Sequence, residues 1–276
     1  MMTQRSILIT GCSSGIGLAS ALVLKARGWR VLATARQRAD LDRLKQDHGL
    51  EPIPLELGDE GSVQTCARQA MDMTGGDLYA LFNNAAFGQV GAVEDLPAAL
   101  LREQFEVNLF GTHELTRTIL PHMRARGRGR IVQCSSVLGL VAAPYRGAYC
   151  ASKFALEGLT DALRLELKDS GIHVSLIEPG PIRTRFVETA LRRFKASIDI
   201  DRSPYAEDYR RRLEEMEAGG KQTFKLEPEA VAAKLVHAVE ASRPKARYFV
   251  TTPTYIANVL RRALPTILLD RVLRNN

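Results

Sequence analysis

Short apolar runs alternate along the chain with longer segments in which apolar residues recur every three or four positions. The runs are short and often β-branched, which is typical of buried strands, and the recurrent spacing is typical of helices packed on one face. Strands are predicted at residues 7–10, 31–35, 53–57, 78–82, 130–134, 174–177 and 248–251. Helices are predicted at residues 15–28, 39–48, 62–73, 98–109, 111–124, 148–169 and 228–240, with a loop interrupting the pattern at 108–111.

This alternation predicts the fold class. Strands that alternate with helices form βαβ units and a mostly parallel sheet. Right-handed crossovers then place helices on both faces of that sheet. We therefore predict an α/β fold, a doubly wound parallel sheet, as a single domain over residues 1–276.

The stretch 184–226 differs from the rest because it is charged and irregular and contains Pro204 and Gly219-Gly220. Structureless loops of this length are rare in compact domains. We predict an insertion with one or two helices that form a lid over the substrate site.

The C-terminal segment 254–276 carries apolar residues at helical spacing, with arginines between them, and is interrupted by Pro265. An amphipathic basic helix can lie in a membrane surface, but a proline in its interior weakens it. Packing on the domain or at a subunit interface is the favoured interpretation, and a weak peripheral membrane contact is the alternative hypothesis.

The chain has 276 residues and a formal net charge of +7. Such a charge can indicate nucleic-acid binding, but here it is scattered in short clusters without a nucleic-acid-binding motif. We expect no nucleic-acid partner. The four cysteines have no metal-site spacing, which predicts reduced thiols and no metal. We find no pattern of a secretory leader or a membrane span, so a cytoplasmic location is expected.

A glycine-rich turn follows the first predicted strand and precedes a helix, in the sequence Thr10-Gly-Cys-Ser-Ser-Gly-Ile-Gly17. Glycines there allow a tight turn and a close approach of the backbone to a pyrophosphate, which the helix N-terminus also attracts. This motif predicts a Rossmann-type dinucleotide site. The residues expected to contact the cofactor are Gly11, Ser13, Ser14, Gly15, Ile16 and Gly17.

The same turn also fits the G-x-S-x-G nucleophile elbow of hydrolases, with Ser13 as the nucleophile. That elbow needs a downstream acid and histidine in a fixed geometry. None of the histidines after Ser13 has a supporting motif, and the elbow normally follows several strands. The hydrolase alternative is disfavoured.

The second predicted strand ends at Thr34-Ala35-Arg36. An acidic residue near this position binds the ribose 2′-hydroxyl of NAD, whereas an arginine accommodates the 2′-phosphate of NADP. No acid precedes Arg36, so NADP(H) is predicted. The alternative is that Arg36 is a surface residue without cofactor preference.

Tyr149 and Lys153 are four residues apart in a predicted helix and therefore share one face. A free phenol titrates near pH 10, and a neighbouring ammonium stabilises the phenolate. Alone the pair is a weak signal. Together with the glycine turn and a strand that ends in Ser135-Ser136, it indicates an acid–base site.

With these motifs the chain resembles the short-chain dehydrogenase/reductase family over nearly its whole length. The matching segments are TGCSSGIG at 10–17, NNAA at 83–86, EVNLFG at 106–111, SS at 135–136, YCASK at 149–153 and PGPIRT at 179–184. YCASKFALEGL at 149–159 is similar to the branch of 17β-hydroxysteroid and retinol dehydrogenases, and IEPGPIRTRF at 177–186 resembles bacterial NADP-dependent aldehyde reductases.

The resemblance implies a catalytic role for four residues. Tyr149 would be the acid in reduction and the base in oxidation, and Lys153 would bind the nicotinamide ribose and lower the pKa of Tyr149. Ser136 would hydrogen-bond the substrate oxygen, and Asn108 would hold a water that relays protons towards Lys153.

It also implies further contacts. Asn84 would lie at the adenosine ribose, and Ile182 and Thr184 at the nicotinamide carboxamide. The remaining implied cofactor contacts are Glu56, Leu57, Pro179 and Gly180, and the implied substrate contacts are Leu138, Val141, Tyr145 and Phe186. Glu56 departs from the family pattern, which has Asp there, and Ala86 stands where the family has glycine.

The implied function is NADP(H)-dependent reduction of a hydrophobic aldehyde or ketone to an alcohol, in a homodimer or homotetramer. One alternative is a hydroxysteroid or retinol dehydrogenase that works in the oxidative direction. A non-catalytic NADP(H)-sensing protein is a less favoured alternative, because the four catalytic residues are all present.

Overall fold

The computed structural model describes residues 4–217 and 223–274. Within these ranges all strands pair in parallel into one seven-stranded sheet of order β3-β2-β1-β4-β5-β6-β7. The strands are β1 (Ser6–Ile9), β2 (Arg30–Ala35), β3 (Glu51–Pro54), β4 (Ala80–Asn83), β5 (Gly129–Cys134), β6 (Ile172–Glu178) and β7 (Arg247–Phe249).

The α-helices of the described residues follow the predicted alternation. They are α1 (Gly15–Ala26), α2 (Arg38–Gln46), α3 (Glu60–Thr74), α4 (Ala98–Phe105), α5 (Gly111–Ala125), α6 (Gly147–Glu166), α7 (Phe186–Ser197), α8 (Ala206–Glu217), α9 (Glu229–Glu240), α10 (Thr252–Ala263) and α11 (Thr266–Arg274). The predicted fold class, a single-domain doubly wound Rossmann-type sheet, is confirmed.

The central strand β1 shows why its sequence is a continuous apolar run. Ile7 and Ile9 pack on one face of the sheet with residues of α1 and α9, and Leu8 packs on the other face with residues of α3 and α5. Successive side chains of a strand point to opposite faces, so a strand covered by helices on both sides is apolar throughout.

The strand order reverses beside β1, because the chain builds β2 and β3 on one side of it and β4 to β7 on the other. Ligands of open α/β sheets bind at such a switch point, outside the carboxyl ends of the strands. The ends of β1, β4, β5 and β6 carry the glycine turn, Asn84, Ser136 and Pro179, so this edge holds the candidate site.

Two local predictions were wrong. The third strand is Glu51–Pro54 rather than 53–57, and it lies at the sheet edge, where its two prolines are tolerated. No loop separates the helices at 108–111; a π-helical turn, Glu106–Phe110, joins α4 to α5. Gly111 begins α5, and a Cβ there would overlap the carbonyl oxygen of Leu57, so glycine permits close packing.

The predicted insertion, 184–226, contains α7 and α8, and its Gly219-Gly220 lies outside the described residues. In the C-terminal segment, Pro265 separates α10 from α11. Helix α10 buries Thr254 and Ala257, whereas Tyr255, Ile256 and Val259 are exposed. Within the described residues, no helix combines the length and the apolar character that a bilayer-crossing segment needs.

Candidate active site

The glycine turn is held together by Thr10 and Asn84. The Thr10 hydroxyl accepts hydrogen bonds from the backbone N–H groups of Asn84 (2.8 Å) and Ala85 (2.9 Å), and the Asn84 side chain donates to the Thr10 carbonyl (2.9 Å). Gly11 has φ +73°, and a Cβ there would lie 2.9 Å from the Cα of Ala85. A Cβ on Gly17 would overlap the Gly11 carbonyl. Only glycine fits these two positions.

The N-terminus of α1 faces out of this turn. Ser14, at the N-cap, does not cap it with its side chain, and the first turn has no acidic residue. The first N–H groups of a helix lack intrahelical partners and carry partial positive charge. A narrow, side-chain-free turn that ends in such a helix fits the pyrophosphate of a dinucleotide.

The segment after β6 reaches the same turn. A Cβ on Gly15 (φ +57°) would lie 2.9 Å from the Cγ2 atom of Thr184, and a Cβ on Gly180 would overlap the hydroxyl of Thr251. The carbonyl of Pro179 accepts from the N–H of Val137 (2.8 Å), and Ile182 bridges to Leu226. The structure therefore brings the predicted residues of 179–184 beside the glycine turn.

The hydrolase alternative has no geometric support. Ser13 lies in the turn after the first strand of the chain, and no histidine of the described ranges forms a hydrogen bond with it. No group of three His, Cys, Asp or Glu side chains in the described part of the chain could hold a metal ion.

Arg36 follows the buried end of β2 and is largely exposed, and its guanidinium lies 3.5 Å from the carboxylate of Glu56. Glu56 also accepts weakly from the N–H of Gly58 (3.4 Å), while Leu57 is buried. Sequence reasoning missed Arg43, whose guanidinium donates to the carbonyl of Ser13 in the glycine turn and also pairs with Asp40. Arg36 and Arg43 therefore place two guanidinium groups, each beside a carboxylate, near the end of β2 and the turn.

The catalytic candidates meet beyond the ends of β5 and β6. Ser136 follows β5, and Tyr149 and Lys153 lie in the first two turns of α6, all three buried. The Lys153 ammonium donates to the carbonyl of Cys134 (2.8 Å) and lies 5.6 Å from the centroid of the Tyr149 ring. An ammonium has three N–H donors, so two remain for a ligand.

The titration of Tyr149 is governed by burial, which raises the pKa of its phenol above the ordinary value; the hydroxyl of Ser136 opposes this by hydrogen-bonding the phenolate. Burial also lowers the pKa of the Lys153 ammonium. The role of Lys153 in lowering the pKa of Tyr149 stays a prediction. The phenol is therefore protonated at neutral pH, the state from which a proton can be donated.

Asn108 lies in the π-helical turn and is buried. Its side chain forms two hydrogen bonds with the backbone of Phe87, donating to the carbonyl (2.9 Å) and accepting from the N–H (3.1 Å). It also donates a hydrogen bond to the hydroxyl of Ser152 (3.3 Å). That hydroxyl donates to the carbonyl of Tyr149 (2.8 Å). Asn108 thus ties the segment after β4 to α6, and its water relay stays a prediction.

The predicted substrate residues separate into two groups. The Phe186 ring lies 5.4 Å from the Tyr149 ring, and Leu138, whose N–H donates to the Ser136 hydroxyl (3.1 Å), is next to the catalytic serine. Val141 is buried in the same loop. Tyr145 instead contacts the predicted insertion, donating to Asp208 of α8 (2.8 Å).

A buried ionic cluster beside the site has no signal in the sequence. Arg247 of β7 binds Glu178 at the end of β6 (2.8 Å), Asp161 of α6 (2.7 Å) and Glu157, one turn after Lys153. Burial and the neighbouring Glu157 raise the pKa of Glu178 to about 8. The cluster joins α6, β6 and β7, which carry Lys153 and Pro179.

The family model of short chain dehydrogenases matches residues 5–193, which include the glycine turn and all four catalytic candidates. The chain is a short-chain dehydrogenase. The predicted resemblance is thereby confirmed, and the family identifies the molecule as an oxidoreductase that uses a nicotinamide cofactor.

Three relatives show how this short-chain dehydrogenase compares with known proteins. It is 44% identical over 271 residues to the uncharacterized oxidoreductase YbbO of Escherichia coli K12, covering 98% of this chain and 94% of that protein. It is 36% identical to human 17-beta-hydroxysteroid dehydrogenase type 1, and the match covers 91% of this chain and 78% of that protein. It is 31% identical to the NADPH-dependent 3-dehydrocapnine reductase of Ornithobacterium rhinotracheale, and the match covers 98% of this chain and 96% of that protein.

Proposed function

We propose that the protein is an NADP(H)-dependent reductase that converts the carbonyl of an aldehyde or ketone with a hydrophobic body to an alcohol. The observation that carries the proposal is the buried arrangement of Ser136, Tyr149 and Lys153 beside a glycine turn shaped for a dinucleotide. Burial keeps the Tyr149 phenol protonated, so its resting state is that of the acid that a reduction requires.

The choice of NADP(H) rests on the end of β2. Arg36 follows the end of β2 and Arg43 donates to the carbonyl of Ser13 in the turn, and a guanidinium can bind a phosphate through two parallel hydrogen bonds. Glu56, which pairs with Arg36, lies across from it rather than at the end of β2. The relative whose name states its cofactor is NADPH-dependent, which supports the same choice.

Each residue of the site would have one role in the reduction. The reduced cofactor, when bound, supplies a hydride for the carbonyl carbon. Tyr149 gives its phenolic proton to the carbonyl oxygen, and Ser136 hydrogen-bonds the same oxygen. Lys153 stabilises the phenolate that remains, because a nearby positive charge favours the ionised form. The Phe186 ring beside Tyr149 excludes water from the reacting atoms.

Oxidation of a hydroxysteroid or retinol is the second candidate, favoured by the similarity to human 17-beta-hydroxysteroid dehydrogenase type 1. It would use the same residues in reverse. A non-catalytic NADP(H)-sensing role is disfavoured by the intact catalytic set, and a homodimer or homotetramer stays a prediction.

The test is a two-way panel. Decanal, benzaldehyde, retinal and a keto-steroid are offered with NADPH and with NADH, and the corresponding alcohols with NADP⁺ and NAD⁺. We expect turnover of at least one carbonyl with NADPH at a kcat/KM at least ten times that with NADH. Turnover confined to the alcohols would favour the second candidate, and tight NADPH binding without any turnover would favour the sensing role.

A further inference from the structure

A cavity of about 150 Å³ lies between the loop before α6 and the lid helices α7 and α8. Most of its wall is apolar, formed by Val90, Leu191, Phe194 and Leu213. Two guanidinium groups, those of Arg146 and Arg212, line the same space. A cationic pair in an apolar cavity is unusual, because charged side chains are buried only when they are paired or bind a ligand.

Neither guanidinium has a carboxylate partner among the described side chains. Arg212 lies 4.8 Å from the centroid of the Tyr145 ring, and its buried Nε has no hydrogen-bond acceptor. Its neighbours in α8 are different, since Arg210 pairs with Asp201 and Arg211 pairs with Asp208. Of three consecutive arginines, only Arg212 lines the cavity.

Arg146 is set in place by a strained residue. Tyr145 has φ +61°, a left-handed conformation that is costly for a bulky side chain and is retained where the surroundings enforce it. Its hydroxyl donates to Asp208 of α8, and its ring packs edge-on against Tyr205 and Tyr209. Contacts with the lid therefore hold the backbone that positions Arg146.

The surroundings add further positive potential. Arg146 occupies the N-cap of α6, which has no acidic residue in its first turn and no side-chain cap. Burial lowers the pKa of Arg146, and Arg212 lowers it further. Glu215 also lines the cavity, but it is exposed and forms no ion pair with either arginine in the described part of the chain.

We propose that Arg146 and Arg212 bind the carboxylate of an oxo-acid substrate, whose alkyl segment lies along the apolar wall and whose carbonyl reaches Tyr149. Two guanidinium groups provide the forked donors that a carboxylate accepts. Arg146 precedes Tyr149 by three residues, which is about 4.5 Å along a helix axis, so the anion site adjoins the reacting centre. This proposal specifies the substrate of the proposed reductase. Reduction of the substrate carbonyl at Tyr149 rests on that proposed function.

The kinetic test compares each of a series of linear ω-oxo-carboxylic acids with its methyl ester, which has the same carbonyl and no charge. We expect the wild type to prefer the best acid over its ester by at least tenfold in kcat/KM. Arg146→Met and Arg212→Met should each reduce that preference about tenfold or more. Arg210→Met, on the same helix but paired with Asp201, is the matched control and should retain the preference.

A binding measurement separates this inference from the proposed function. Decanoate carries the anion without a reactive carbonyl, and its affinity for the NADPH-saturated protein is measured by calorimetry, with decanol as the neutral partner. We expect decanoate to bind at least tenfold more tightly to the wild type than to either variant, and decanol to show no such difference.

The outcomes are distinct. If decanoate binding depends on the two arginines but no aldehyde or oxo-acid is reduced, the anion site stands and the reductase proposal fails. If acids and esters are reduced equally well, or decanoate binds all variants alike, the anion site is wrong while the reductase proposal stands. Circular dichroism checks each variant for folding, and Arg146→Lys provides a second substitution that keeps the positive charge but removes the forked donors.

Discussion

At the scale of single residues, the chemistry depends on how Tyr149 is held. Its phenol is buried and that burial raises its pKa, while the neighbouring Ser136 hydroxyl acts in the opposite direction. Lys153 is fixed by the Cys134 carbonyl rather than by Tyr149. The pair is therefore positioned by the strand end and the helix before any ligand binds.

The raised pKa of Tyr149 predicts opposite pH dependences for the two directions. Reduction needs the protonated phenol, so its kcat should stay flat across the neutral range and fall only at strongly alkaline pH. Oxidation needs the phenolate, so its kcat should rise with pH over the same range. Steady-state rates in both directions, measured from mildly acidic to alkaline pH, test this; a reduction rate that falls through neutrality would contradict it.

Arg36 is expected to select the cofactor. Its guanidinium is exposed and held only by a 3.5 Å ion pair with Glu56, so it is available to a phosphate. Arg36→Ala should raise the KM for NADPH about 10- to 100-fold and leave the KM for NADH nearly unchanged, since a hydrogen bond to a charged group contributes about 1.5–3 kcal/mol. Arg38→Ala, whose arginine pairs with Asp42 instead, is the control. An unchanged KM for NADPH in Arg36→Ala would show that Arg36 does not select the cofactor.

At the scale of elements, the ion pairs of Arg247 connect β7 to α6 and β6. The carboxylates of Glu157 and Glu178 are both buried, and Arg247 is the cation that they share. Burial raises the pKa of both glutamates. These two carboxyls therefore bind more protons in the folded protein than in the unfolded chain between about pH 4.5 and about pH 8, and the stability that they contribute falls as the pH rises through that interval.

Arg247→Met should destabilise the fold by about 3–5 kcal/mol, because it leaves buried carboxylates without their cation. The loss should be larger at pH 8 than at pH 5, where the carboxylates can take up protons. Denaturant unfolding at the two pH values measures it. Arg164→Met, which removes a more exposed partner of Asp161, is the control and should cost less than about 1 kcal/mol. Equal stability of Arg247→Met and wild type would contradict the coupling.

At this scale the sequence could predict features formed by residues that are close together in the chain, but not contacts between distant ones. The strand–turn–helix around Gly11 and the i, i+4 pair of Tyr149 and Lys153 are local, so spacing alone predicted them. Arg247 is separated by 90 residues from Glu157 and by 69 from Glu178, so only the folded chain shows their contact. The π-helical turn at Asn108 was missed because helical periodicity does not distinguish it from the helices on either side.

At the scale of the whole molecule, the C-terminal helices expose apolar side chains on one side. Helix α10 turns Thr254 and Ala257 inwards and exposes Tyr255, Ile256 and Val259, and α11 exposes Ile267 and Leu268. An apolar stripe directed away from the core marks an interaction surface. Four arginines lie in the same segment, Arg261, Arg262, Arg271 and Arg274. A subunit interface is the favoured occupant of this surface, and an anionic membrane surface is the alternative that the arginines allow.

The membrane alternative predicts that the protein co-sediments with vesicles that contain anionic lipid and is released by high salt. Ile256→Ser together with Val259→Ser should abolish the binding without changing turnover of a water-soluble aldehyde. Val93→Ser, at an exposed apolar residue elsewhere, is the matched control. Salt-insensitive self-association that the double variant removes would identify a second copy of the chain as the partner instead.

The most direct measurement is reduction of decanal by NADPH with the wild type and with Tyr149→Phe, following alcohol formation and NADPH binding in the same preparations. Loss of the proton donor should lower kcat by about 10²- to 10⁴-fold, while the Kd for NADPH changes little because the glycine turn is untouched. A Tyr149→Phe variant that reduces decanal at the wild-type rate would contradict the proposed mechanism.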